Sequence, residues 1–313
     1  MASESRAATR PAVDYRFPKP EERPLVFAGS TVLLGTSEPW FGLGEVTARC
    51  LVPYGYEVKI LSETPGAVNP RYVADGRAEV GATNPSIARN AHAGSGPFAG
   101  EGRRDSLRAI ATVCRPSWVA VAVTQESGIT DLGQIKLRRL PVRMFCGSDD
   151  VLAYYGLSRE EIVSYGGSDV KERGGRDLDL LIGNLYMGYT PAAWRWLEAS
   201  AMNLRFLDLP DALIERLLEA GGGERGFIPH GYVRGVDRDV QTAAHPYLVI
   251  YTRDDAPDDF VRSLAQEYDR KRQYFRETHV GFSYDPDHAA LHTGIPLHSA
   301  ALAYYNERGY PTA

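Results

Sequence analysis

Cysteine is scarce in this chain. The three present, Cys50, Cys114 and Cys146, are an odd number without CxxC or CxxxC spacing. That argues against a disulfide framework and against a thiolate zinc site. Unpaired thiols suit a reducing compartment. No run of about 18 apolar residues occurs, so no segment reads as a membrane-spanning helix. A dense basic tract is also missing: 35 Lys and Arg stand against 40 Asp and Glu, for a net charge of −5. A phosphate backbone has nothing continuous to follow, so nucleic acid is not an expected partner. There is no internal repeat and no low-complexity block. The opening segment, MASESRAATRPAVDYRFPKPEERP, contains no apolar h-region. It reads as a polar, Pro-broken arm, not a secretory signal. With the free thiols this points to the cytoplasm. A natural N-terminus different from this one would point to the periplasm.

What is present is a chain built to fold. It has 313 residues, 43% hydrophobic and 24% charged, enough for a sizeable core. Single cores stop growing near about 250–300 residues, so one large domain or two lobes is expected. From Pro24 onward, strand and helix patterns alternate. LVFAGSTVLL, YEVKILSE and AEVGATN read as strands. FGLGEVTARCLVPYG reads as a helix whose apolar face is Leu43, Val46, Ala48 and Leu51. TPAAWRWLEASA reads as a helix with Pro191 in its first turn and Trp194 and Trp196 on opposite sides. The longest helix is expected from APDDFVRS onward, with Pro257 and Asp258 at its start. The two most apolar extended runs, Trp118–Val123 and Tyr247–Tyr251, divide the chain into three pieces. That division suits two lobes joined by two crossover strands. The expected boundaries are an arm over 1–23, lobe 1 over 24–123 plus 248–313, and lobe 2 over 124–247.

Four motifs occur in order: GTSEPWFGLGEVTARCL, SETPGAVNPRYVADGRAEVGATNP, FIPHGYVRGVDRDVQTAAHPYLVIYTRDDAPDDFVRSLAQ and IPLHSAALAYYNERG. Together they resemble the TAXI-type solute-binding proteins of TRAP transporters, over roughly Leu25 to Gly309. The resemblance implies an α/β, two-lobed, periplasmic-binding-protein-like clamshell of type II with two crossover strands. It also implies a small organic anion, a carboxylate or amino acid, held between the lobes without a cofactor. TRAP membrane subunits would be partners if the chain is exported. Two departures bear on this. Cys146-Gly147-Ser148-Asp149-Asp150 replaces a Gly-Ser-Gly-Thr type turn, and Ser299 stands where Gly is usual. The remodelled Cys146 loop, with the missing signal and the free thiols, keeps open an alternative, a cytoplasmic cofactor-free enzyme on the same scaffold. It would be a decarboxylase, another lyase or a hydrolase acting on a small carboxylate or aromatic acid.

In such a clamshell the ligand meets loop ends and helix N-termini, whose N–H groups favour an anion. On lobe 1 the candidates are Thr36, Ser37 and Trp40, then Gly66, Ala67 and Asn69, then Thr83 and Asn84. On lobe 2 they are Cys146, Gly147 and Ser148 after one strand, Asn184 and Tyr186 after another, and His230 in a loop resembling one that borders the cleft. Singly, each also reads as an ordinary turn or capping residue. Cys146 is the candidate nucleophile, since a helix N-terminus lowers a thiol pKa, while Asp149 and Asp150 oppose that. Arg115 and Arg143 are both candidate carboxylate clamps, and the sequence does not choose between them. Asp177 and Asp179 read as a solvated strand edge. His288 and His292, with Asp285 and Asp287, have metal-ligand spacing, but Gly294 and Pro296 cut any helix short, so a surface loop and no metal is expected. His298 reads as support for the start of the last helix. That helix reads as a structural lock, with Pro296 setting its entry and Ala300, Ala301 and Ala303 allowing close approach. The N-terminal arm offers a route to an oligomer.

Overall fold

The structure, a computed structural model, describes residues 16–29, 32–33, 36–37, 39–61, 69–170, 178–187, 202–221, 223–278 and 281–312. Lobe 1 opens with β1 (Leu25–Ala28), the short hairpin of β2 (Val32–Leu33) and β3 (Thr36–Ser37), and helix α1 (Pro39–Leu51). It continues with β4 (Val58–Leu61), α2 (Asn69–Ala74), β5 (Val80–Thr83) and α3 (Pro85–Ala93). The long strand β6 (Leu107–Thr124) then leaves for lobe 2. Lobe 2 holds β7 (Arg143–Cys146), β8 (Ser168–Asp169), β9 (Leu180–Tyr186), β10 (Leu204–Phe206) and β11 (Glu224–Ile228). Strand β12 (Val240–Arg253) returns to lobe 1, where helices Asp258–Arg270 and Ser299–Arg308 finish the chain. This is the expected two-lobed α/β clamshell with two crossover strands. Among the described residues no helix is long and apolar enough to cross a membrane.

One sheet runs through both lobes in the order β4-β1-β5-β12-β6-β9-β7-β8, with β10 on β6 and β11 on β12. Within each lobe the strands joined through helices pair in parallel, β1 with β4 and β5, and β7 with β8 and β9. Such pairs need a crossover of this kind. The crossover strands β6 and β12 pair with each other antiparallel.

Each lobe has its own core. In lobe 1, Leu25 and Phe27 of β1 pack with Leu43 and Val46 of α1 and with Leu264 and Tyr268. In lobe 2, β6 is covered on both faces. Val119, Val121 and Val123 pack with Met144 and Ile182, while Trp118, Ala120 and Ala122 pack with Leu185 and Phe206. Coverage on both faces is why Trp118–Val123 reads as an unbroken apolar run and not as an alternating one.

That packing corrects the first lobe boundary. Residues 118–123 belong to the core of lobe 2, so β6 changes lobe near Arg115–Ser117, well before residue 124. On β12 the change falls between Ala244, in the core of lobe 2, and Leu248, in that of lobe 1.

The last helix is fixed to lobe 1 by named contacts. His298 caps it by accepting from Ala300 N–H at 3.3 Å. Just before it, Ala109 N–H donates to Pro296 C=O and His298 N–H to Ala109 C=O, both at 2.8 Å, adding this segment to the edge of β6. Ala301 and Tyr305 are fully buried. Tyr305 donates to Ile110 C=O at 3.0 Å, and Tyr304 donates to Asp269 at 2.8 Å.

Candidate functional site

The two crossover strands lose register at the same level. Their pairs run Ala244↔Trp118 and His245↔Ser117, then jump to Tyr247↔Cys114. Arg115 and Pro116 on β6 therefore face Pro246 alone on β12. This is a β-bulge, and the prolines on both strands add to the break because neither can donate to the ladder. A bulge bends the strand and re-aims its side chains. Here it turns Arg115, Ser117, His245, Tyr247 and Leu248 toward two cavities between the lobes.

The smaller cavity, about 60 Å³, is lined by Asn84 from lobe 1, by Asn184 and Tyr186 from lobe 2, and by Arg115, Ser117, His245 and Leu248 of the crossovers. Arg115 is 2% exposed. Its guanidinium carbon stands 5.1 Å from the Tyr186 ring centre and 5.2 Å from that of Phe282, and Nε donates to Met187 C=O at 3.4 Å. Two π faces hold this cation at the cavity wall while adding no opposite charge. A buried guanidinium so placed suits a planar oxyanion, which it can meet with parallel N–H donors.

The larger cavity, about 110 Å³, is lined by Pro85, Ser86 and Arg89 of α3, Gly223 and Glu224 at the start of β11, and His245, Pro246, Tyr247 and His292. Helix α3 starts here with Asn84 as its cap residue and Pro85 in its first turn, and among the described residues no side-chain capping hydrogen bond is made. Its first N–H groups and positive dipole end are left for another acceptor. Ser86 supplies a hydroxyl that is 6% exposed and has no hydrogen-bond partner among the described residues. Gly294 permits the approach of the facing loop, since a Cβ there would lie 2.2 Å from Pro85 O and its φ is +75°.

His245 is the residue common to both cavities. Burial pushes its imidazole below the usual histidine value, so the ring is neutral at pH 7. Beside it, Tyr247 stacks on His292 with ring centres 4.6 Å apart and planes 5° apart.

A profile of the NMT1-like family matches residues 35–309, nearly the whole folded part. The chain belongs to the NMT1-like family. Among solved structures, this NMT1-like chain is similar to MatC from Rhodopseudomonas palustris with bound malate, at 12% identity and a TM-score of 0.47, covering 92% of this chain and 98% of that one. It is also similar to a Xanthomonas citri protein bound to chloride ion, at 13% identity and a TM-score of 0.44, covering 90% and 95%. A third is a binding protein component of an ABC phosphonate transporter from Pseudomonas aeruginosa, at 10% identity and a TM-score of 0.43, covering 84% and 82%.

The residues singled out in the NMT1-like sequence fall in several places. Asn84, Asn184 and Tyr186 line the smaller cavity together. Thr83 ends β5, fully buried and paired with Val249. Asn69 is fully buried as well, and its amide donates to Ala82 C=O at 3.0 Å, so it braces the end of β5 from behind. Thr36 and Ser37 form β3 and Trp40 lies in the first turn of α1, with their side chains outside the described residues. Gly66, Ala67, Asp177, Trp194 and Trp196 lie outside them altogether.

Cys146, Ser148 and His230 are not among the lining residues. Cys146 packs in the core of lobe 2 with Val121 and Ile182, and its thiol donates to Ser148 C=O at 3.2 Å. Burial pushes that thiol up, against smaller lowering effects of the Ser148 contact and Arg159. The expected helix N-terminus behind it belongs to a single short helix, Asp149–Tyr154, so the activation expected of a nucleophile is missing. His230 is exposed in the turn after β11, where its N–H donates to Asp239 at 2.9 Å. Arg143 resolves against Arg115 as a clamp: it is exposed and forms an ion pair with Asp179 at 3.0 Å. His288 and His292 lie in a turn and not on a helix, and His288 pairs with Asp285 at 3.0 Å. Ser86, Arg89, Glu224, His245 and Tyr247 were not singled out. The signal for Arg115 and His245 was a proline just before each apolar run: RPSW and AHPY mark the bulge, and Arg115 and His245 each precede their proline.

Proposed function

We propose that this chain is a TAXI-type solute-binding protein that captures a small organic anion, a carboxylate or an amino acid, between its lobes. The observation that carries the reading is Arg115, buried where the crossovers change lobe and lining one cavity with Asn84 of lobe 1 and Asn184 of lobe 2. The uncapped start of α3 and the unpartnered Ser86 hydroxyl supply further donors next to it. Lobe 1 and lobe 2 meet through the bulge, where small changes in φ and ψ at a few residues would close the cleft over the ligand. The four sequence motifs support the TAXI subtype, and TRAP membrane subunits would be its partners only if the chain is exported. The free thiols support a cytoplasmic location, which cell fractionation would check.

The test is a thermal-shift screen of carboxylates, amino acids, sulfonates, neutral sugars and organic cations. Anions are expected to raise the unfolding temperature. Stabilisation should reach about 2.7 kcal/mol when free ligand is 100 times its dissociation constant. Equal stabilisation by neutral or cationic solutes, or none by any anion, would contradict the reading.

A further inference from the structure

We propose that anion capture in this cleft takes up one proton at His245, so that affinity rises as pH falls. This rests on the anion-binding reading above. It stands on where His245 is placed. The residue sits beside Pro246 at the bulge and lines both cavities, so an anion reaching either meets its ring. No hydrogen bond to that ring is made among the described residues. Its backbone is fixed, with its carbonyl accepting from the Ser117 hydroxyl at 3.3 Å. Its ring is held by close packing: a Cβ on Gly223 would lie 2.8 Å from its Nδ1. A fixed imidazole with open nitrogens, on the wall of a polar cavity, is placed to donate to a ligand.

The charged and titratable groups around it come from every neighbouring element. They are Arg115 on β6, Arg89 on α3, Glu224 on β11, Tyr186 on β9, Tyr247 on β12 and His292 in the loop before the last helix. Burial alone sets the empty-state shift of His245, downward, so the ring is neutral there near pH 7. An anion within about 4–6 Å favours the charged ring and raises its pKa. The sign follows. Binding raises the pKa, so a proton enters with the ligand. Affinity climbs as pH falls from the bound-state pKa to the free-state pKa, by up to about tenfold per pH unit. Outside that window it is flat. Arg115 remains charged throughout. Tyr247, pushed up by burial, does not titrate there.

The experiment is isothermal titration of the full chain with L-glutamate, acetate and methanesulfonate, across pH 5.5 to 8 and in two buffers of different ionisation enthalpy. Methanesulfonate keeps a constant charge over that range and is the reference, since the carboxylates begin to protonate at its lower end. The proposal expects buffer-dependent heats that report proton uptake, and a dissociation constant that falls with pH. His245→Gln should bind with no proton uptake and a flat pH profile, and His230→Gln, in the exposed turn after β11 and lining neither cavity, should keep the wild-type uptake and slope. Binding by the wild type without proton uptake would overturn the proposal, even if His245→Gln fails to fold. A wild-type pH slope in His245→Gln would overturn it too. If none of the three anions binds at any pH, the anion-binding reading itself fails, and this proposal with it.

Discussion

Replacing Arg115 by methionine is expected to weaken anion binding by roughly 30- to 1,000-fold, about 2–4 kcal/mol. The size comes from the site of the charge. Arg115 is 2% exposed, so the ligand's charge meets it with little water between to screen them. Methionine keeps the length of the side chain and its contact with the rings of Tyr186 and Phe282, while removing every N–H donor. The fold is expected to survive, because methionine fills the same buried space against Tyr186 and Phe282 and leaves no charge buried there. Calorimetric titration with the best anion from the screen measures the loss, and circular dichroism checks the fold. Near-unchanged affinity in a folded Arg115→Met protein would remove Arg115 from the site.

Tyr305→Ala is expected to destabilise the protein by about 3–5 kcal/mol, the range for emptying a large buried aromatic site. Tyr305 is fully buried among Ile110, Tyr284 and Tyr304, and it carries the last helix onto β6 through its bond to Ile110 C=O. Removing the ring opens a cavity and frees the helix from the first crossover together. Tyr305→Phe separates the two effects. It keeps the ring and loses only the hydroxyl, at about 1–3 kcal/mol for the unpaired carbonyl. Urea unfolding of both variants measures this. Equal losses would mean that the hydrogen bond, and not the packing, holds the helix. A domain of ordinary stability has about 5–15 kcal/mol in all, so Tyr305→Ala approaches the point of unfolding.

Much of this architecture is legible in the residues because burial writes itself into composition. Trp118–Val123 is apolar at every position because β6 is covered on both faces, and that run located the crossover. His298 and the alanines after it named the last helix as a lock because a cap residue and small side chains are local requirements. The candidate site is less legible. Asn84 follows the end of β5, a position that topology alone marks for binding, whereas Asn184 and Tyr186, expected after their strand, lie within β9 and pair with Val119 and Ser117. Asn69 follows the same kind of rule and turns inward, because Ala82 C=O needs a donor. Cys146 reads as a thiol at a strand-to-helix turn, yet it ends β7 and packs with Val121 and Ile182, which decides its fate. His245 and Arg115 meet only because two strands far apart in sequence lose register at one level. No window along the chain contains that coincidence. A proline in each strand was its trace.

The measurement that bears most directly on the central claim is a crystal structure of the chain with the best anion from the screen. The ligand's anionic group is expected within hydrogen-bond distance of the Arg115 guanidinium, between Asn84 and Asn184, with the His245 ring beside it. A ligand bound elsewhere, with both cavities at the bulge holding only water, would contradict the account.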